Sequence, residues 1–171
     1  ATGKYVFFLN SDTLLLNNAV RAFYDFMESH PGRDMVCWCV LQNGDGSEGG
    51  AIGFPTLVGQ LKWACLCHIR WLIRRIRGRP APVHPAYGQV RAGKTEVAVE
   101  AVSGAALFMP KRLFDAAHGF DIRFFLYFEE TDLQKRLANR DVERLLIPGP
   151  QIHHSIGSSS GKVPPFFLEK T

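Results

Sequence analysis

Acidic residues are missing from one stretch of the chain. Residues 61 to 80 carry six basic side chains (Lys62, Arg70, Arg74, Arg75, Arg77 and Arg79) and no Asp or Glu. The whole chain of 171 residues has a formal charge of +4, so the remainder is slightly acidic. One basic cluster on an acidic body is not the broad basic face with aromatic platforms that nucleic-acid binding needs, and nucleic acid is excluded as a partner. Long apolar runs are missing too: none reaches the ~18 residues of a membrane-spanning helix. Cysteine is scarce. Cys37 and Cys39 fall in a strand-like run, while Cys65 and Cys67 fall in a helical one. Two residues apart on a helix is about 200° of rotation, so the second pair cannot face one metal, and a four-thiolate zinc site is rejected. Four small thiols in a reducing compartment are expected instead. With 46% apolar and 21% charged residues the composition is that of an ordinary globular domain, not of a disordered or disulfide-stapled chain.

What is present alternates. Residues 4–9 (Lys-Tyr-Val-Phe-Phe-Leu) form an almost wholly apolar run, the pattern of a strand covered on both faces in a parallel sheet. A helix is predicted over 17–29, capped by Asn17 or Asn18, with Val20, Phe23 and Met27 as its apolar stripe. A second strand spans 35–41, and Asn43-Gly44-Asp45-Gly46 marks a turn. Val58, Leu61, Cys65, Ile69, Leu72 and Ile76 give a helical stripe over 57–77, with Arg70, Arg74 and Arg77 on another face. A basic face opposite an apolar stripe suits attachment to an anionic membrane surface; a solvated face is the plainer alternative. A strand broken at Ser103-Gly104 is predicted over 97–109, then a short helix at 111–117 closed by Gly119, a helix from about Glu130, and a strand at 144–147. This order argues an α/β fold.

Three groups could carry chemistry. Asp12 follows the first strand, at the end where open α/β sheets bind ligands, and could hold a hard cation or simply form a turn. Glu129, Glu130 and Asp132 place three carboxylates in four positions after an aromatic run. They read either as first-turn acids favoured by the helix dipole or as a desolvated general base. His153 and His154 are adjacent, so in an extended chain at most one faces a given site. A glycosidase pair made of Glu129 and Glu130 is rejected, because neighbours at a helix start cannot flank one bond at the ~5–9 Å that reaction requires.

These pieces, in this order, resemble inverting glycosyltransferases of family 2 with the GT-A fold, of the rhamnosyltransferase type that builds bacterial cell-surface glycans. Gly3 to Thr13 resembles the family's Asp-x-Asp strand, and Val102 to Phe108 its Gly-Ala segment. The stretch Gly119-Phe120-Asp121-Ile122-Arg123-Phe124-Phe125-Leu126-Tyr127-Phe128-Glu129-Glu130-Thr131-Asp132-Leu133 is similar to its long acidic signature with unbroken spacing, and Ile152 to Ser159 resembles its closing His-x-x-Gly-x-Ser. The resemblance implies a Rossmann-like mixed sheet flanked by helices. It also implies roles. Asp12 and His153, with His154 as the fallback, would ligate a divalent metal (Mg or Mn) on the donor's diphosphate. Glu130 would be the general base. Asn10, Ser11, Gly104, Ala105, Glu129 and Asp132 would contact donor or acceptor. The expected partners are a nucleotide-sugar donor and a glycan or lipid-linked acceptor. The expected location is the cytoplasm, with peripheral attachment to the inner face of the plasma membrane through 57–77 as a further expectation. Two departures stand out: Asn10 occupies the place of the family's first Asp, and Glu130 that of its catalytic Asp. They motivate the alternative of a catalytically impaired module that binds glycan or a membrane surface. The first motif lies mid-sheet in the family, so residues 1–171 are expected to form one partial domain, with 156–171 as a tail, lacking most of the nucleotide pocket.

Overall fold

The computed structural model describes residues 2–43, 48–62, 66, 76, 85–91, 96–124 and 127–155. It is a mixed α/β fold. Three sheets are flanked by helices. The larger one has the order β1-β9-β3-β10-β7, built from β1 (Tyr5–Leu9), β9 (Ala106–Pro110), β3 (Met35–Trp38), β10 (Glu143–Leu146) and β7 (Val97–Ala98). Among the described residues of this sheet, only β3 and β10 run parallel. A second sheet has the order β2-β11-β4-β5, from β2 (Thr13–Leu15), β11 (Ile152–His154), β4 (Leu41–Asn43) and β5 (Glu48–Gly49). The hairpin of β6 (Ala51–Ile52) and β8 (Ala101–Val102) is the third.

The apolar run of β1 is covered on both faces, though its neighbour is not the expected parallel strand. It pairs antiparallel with β9, from Tyr5 opposite Pro110 to Leu9 opposite Ala106, and its side chains are mostly half-buried. Alternation along the strand sends Phe7 and Phe8 to opposite faces. Phe7 meets Phe23 of α1 (Ala19–Glu28), which stacks on Phe108 at 5.3 Å. Phe8 meets Phe120 and also Phe114 of α3 (Lys111–Ala116), the helix that follows α2 (Pro85–Arg91). Helix α1 begins where the cap residue predicts: the Asn18 side chain accepts from the Arg21 amide. Its buried stripe is Ala19, Phe23 and Met27, and Val20, expected inside, is exposed. Val20 lies three residues before Phe23 and Ala19 four; both spacings are helical, so periodicity alone could not choose between the two.

The strand predicted over 97–109 breaks at Ser103-Gly104 as expected and breaks once more at Val99-Glu100, giving three strands, β7, β8 and β9. Cys37 and Cys39 are buried free thiols, and burial pushes both up, Cys39 to about 12. Cys65 and Cys67 lie outside the described residues, as do Gly44-Asp45-Gly46, the tail 156–171 and the arginines of the basic segment. Of the 57–77 helix, residues 57–62, 66 and 76 are described and helical. Thr56 caps it, its hydroxyl accepting from the Gly59 amide. The described members of its apolar stripe do not reach the core: Val58 is 61% exposed, Leu61 57% and Ile76 75%. No helix among the described residues is long and apolar enough to cross a membrane.

Candidate functional site

Four motifs that are distant in sequence meet at the carboxyl end of β1. The chain leaves the strand at Asn10 and turns at once, as the Thr13 amide and hydroxyl both donate to the Asn10 carbonyl. The Asn10 amide donates to the Ala105 carbonyl at 3.0 Å, which fastens this turn to the Gly104-Ala105 segment before β9. Gly104 in turn lies under Glu130. A Cβ there would stand 3.1 Å from the Glu130 Cγ and 3.2 Å from its Cβ, so the glycine is what lets the carboxylate approach the backbone. At the far side of the turn the Ser155 amide donates to the Asp12 carbonyl, and the Asp12 Oδ1 stands 3.3 Å from the His154 Nε2.

The imidazole beside Asp12 therefore belongs to His154, the expected fallback, rather than to His153, the first choice. Adjacent side chains of β11 alternate, and the register settles which faces Asp12: His154 lies opposite Thr13, whereas His153 lies opposite Leu14. That register is held from outside the strand. The Asn17 side chain donates to the Gly149 carbonyl and accepts from the Gln151 amide, and the Leu16 amide donates to the Gln151 carbonyl.

Helix α4 (Glu129–Ala138) supplies the acidic side. It starts abruptly: Tyr127 and Phe128 both adopt left-handed backbone, with φ of 64° and 68°, unusual for aromatic residues. Strain of this kind persists only where surrounding structure fixes it, and it sits directly before the two glutamates. Glu129 and Glu130 each keep one oxygen, Oε2, buried with no hydrogen-bond partner among the described residues. Burial raises the Glu130 pKa above its ordinary value. Its own amide and those of Gly104 and Thr131 pull the other way, and the neighbouring Glu129 charge adds to the rise. Asp132, expected to contact substrate, is instead paired with Arg136 at 2.8 Å. Arg136 also donates to the carbonyls of Ala117 and Gly119, so Asp132 fastens the turn leading into the signature to the helix. Asn10 and Ser11 are exposed at the rim.

Two supporting residues were not singled out in the sequence. Gln134 is fully buried and bonds both main-chain groups of Val102. Gly50, with φ of 122°, accommodates the buried Trp38 indole; a Cβ there would lie 1.0 Å from a ring carbon. Gly50 also accepts from the Ser103 amide, so it helps aim the Gly104 turn. A lone Gln in a helix gives no sequence signal, whereas the Gly49-Gly50 pair was a visible one.

The donor set at Asp12 and His154 is one hard carboxylate, which suits Mn²⁺ or Mg²⁺, and one imidazole, which suits a transition metal and so fits Mn²⁺ better than Mg²⁺. Among the described residues no three His, Cys, Asp or Glu converge, so these two groups would hold a cation only together with a ligand.

No family model matches the chain. Two curated proteins do, both called N-acetylglucosaminyl-diphospho-decaprenol L-rhamnosyltransferase, from Mycobacterium tuberculosis strains CDC 1551 / Oshkosh and ATCC 25618 / H37Rv. Each is 32% identical over 83 residues, which is 48% of this chain and 27% of the relative. The matched region thus spans about a quarter of the length of these curated relatives.

Proposed function

We propose that the chain carries the metal and base side of a glycosyltransferase that moves a sugar from a nucleotide-diphosphate donor to a lipid-linked acceptor, with inversion. The observation that carries this reading is Glu130: a half-buried carboxylate seated on Gly104, one oxygen buried without a partner among the described residues, its pKa raised by burial. Such a group is poised to take a proton from a hydroxyl. The likeness to the two rhamnosyltransferases supports the class of reaction and of acceptor.

In this reading an acceptor hydroxyl donates its hydrogen bond to Glu130 and loses its proton to that carboxylate as its oxygen bonds to the anomeric carbon and the bond from that carbon to the nucleoside diphosphate breaks. A single base on the acceptor side implies direct displacement and hence inversion. Glu129 and the Gly104-Ala105 turn border the reacting sugars. Asp12 and His154 would hold the divalent cation, which when bound neutralises charge on the departing diphosphate. Asn10 and Ser11, at the rim, border the donor.

The exposed apolar side of the 57–62 helix suits a peripheral position on the cytoplasmic face of a membrane, where lipid-linked acceptors reside. Its described apolar residues meet solvent, and the 61–80 stretch brings six basic residues and no acid. A shallow groove lined by Phe54, Pro55 and Gln60 beside Phe128 joins this helix to the start of α4.

The test is transfer from a panel of nucleotide sugars to polyprenyl-diphosphate acceptors with Mn²⁺, the anomeric configuration of the product being read by NMR. Glu130→Gln is expected to lower kcat by about 10²- to 10⁴-fold. A retained anomeric configuration, or transfer unaffected by Glu130→Gln, sinks the assignment. The departures at Asn10 and Glu130 favour one second reading, a module that binds glycan or membrane without transfer. It predicts acceptor binding by the folded protein with no turnover.

A further inference from the structure

Gln134 is a fully buried polar side chain five residues into α4, and burying a carboxamide is costly unless every hydrogen bond is made. Here they are made to the main chain alone. Its Oε1 accepts from the Val102 amide at 2.8 Å. Its Nε2 donates to the Val102 carbonyl at 2.6 Å and to the Glu130 carbonyl at 3.1 Å. The reason Val102 needs such a partner lies in the register of the hairpin. Ala51 stands opposite Val102, and the neighbouring Ser103 amide donates to the Gly50 carbonyl. In an antiparallel pair the bonded positions alternate, so the Val102 amide and carbonyl point away from β6. The Gln134 carboxamide takes both, as the next strand would.

One side chain thus grips the two walls of the Glu130 site. It holds Val102, two residues before Gly104, and the carbonyl of Glu130 itself. The Gly104 backbone and the Glu130 side chain are in close contact, so small changes in the spacing of these walls move the carboxylate. We infer that Gln134 is a positioning residue, setting the distance of the Glu130 carboxylate from the Gly104 turn and thereby its exposure to water. The inference rests on the reading of Glu130 as the base, since only then does that distance govern turnover.

Gln134→Met fills nearly the same volume and offers no hydrogen bonds to Val102. Leu137→Ala, a buried position on the same helix that lines a groove with Leu113 and Val142, serves as the control for stability loss alone. Two measurements are made on each: transfer kinetics, and titration of the Glu130 carboxyl by ¹³C NMR with glutamate labelling, assigned by its absence in Glu130→Gln. With Gln134→Met, kcat falls by up to about 100-fold, the cost of misplacement by ~1 Å, while KM holds. The Glu130 titration also moves down toward the ordinary glutamate value as water enters. Leu137→Ala leaves both unchanged. Equal losses of kcat in the two variants, or a Glu130 titration that does not move in Gln134→Met, overturn the inference. If the wild-type protein transfers no sugar, the functional reading fails while the titration still decides the positioning role. Should circular dichroism find Gln134→Met unfolded, both measurements pass to Gln134→Asn, whose carboxamide is one methylene shorter and cannot span Val102 and the Glu130 carbonyl together.

Discussion

Asp12 and His154 meet where the β1–β2 turn passes the end of β11; their side chains are 17% and 16% exposed, and they face each other. Glu129 and Glu130, by contrast, open a helix behind two left-handed aromatics, and each leaves one carboxylate oxygen buried without a partner among the described residues. The difference suits two tasks. In the proposed reading a cation would displace the mutual contact of Asp12 and His154. A base gains proton affinity from removal from water, which disfavours its charged form. One end is thus made by strand register, the other by close packing of a helix start on a glycine.

The sharpest way to break this contrast is Gly104→Ala. The added methyl crowds the Glu130 Cγ at 3.1 Å, so the carboxylate must shift by a few tenths of an ångström. Turnover is expected to fall by up to about 100-fold with little change in Mn²⁺ dependence, measured as kcat against metal concentration. Next in size, His154→Ala raises the Mn²⁺ requirement by about 10- to 100-fold, the range seen when support for a metal site is lost. His153→Ala does so far less, and equal effects would show that β11 register does not select the ligand. A smaller effect concerns stability. The Glu130 pKa is raised above 4.5 in the folded state, so its ionisation works against folding at pH above that folded value, and the penalty vanishes below the unfolded one. Thermal unfolding should therefore find Glu130→Gln more stable than wild type at pH 7.5, with the gap closing as the pH falls and gone below about 4.5. The smallest effect on folding is expected for Val58→Gln with Leu61→Gln. Both positions are exposed, so stability changes by no more than ~0.5 kcal/mol. Flotation with anionic liposomes is nonetheless reduced, and undiminished flotation would remove this helix from the membrane reading.

Much of the site's acidic side was legible beforehand, because Glu129 and Glu130 follow an aromatic run whose spacing fixes them at a helix start. Asp132 shared that pattern, yet its carboxylate is spent on Arg136, a partner one helical turn away that a list of acids does not reveal. Choosing between His153 and His154 was beyond the sequence, since alternation says that one faces the site without saying which. Gln134 left no mark at all: its role comes from Val102, 32 residues earlier, whose unpaired backbone groups exist only once the hairpin has formed.

The sequence by itself determined the local elements: the apolar run of β1, the Asn18 cap, the acidic start of α4 and the glycine at position 104 that admits a close neighbour. These follow from side-chain chemistry within a few residues. Only the tertiary structure decided that β1 pairs antiparallel with β9, that His154 rather than His153 meets Asp12, and that Gln134 joins Val102 to Glu130. Each of those depends on strand register or on backbone groups left unsatisfied by a neighbour, and such needs arise between segments far apart in the chain.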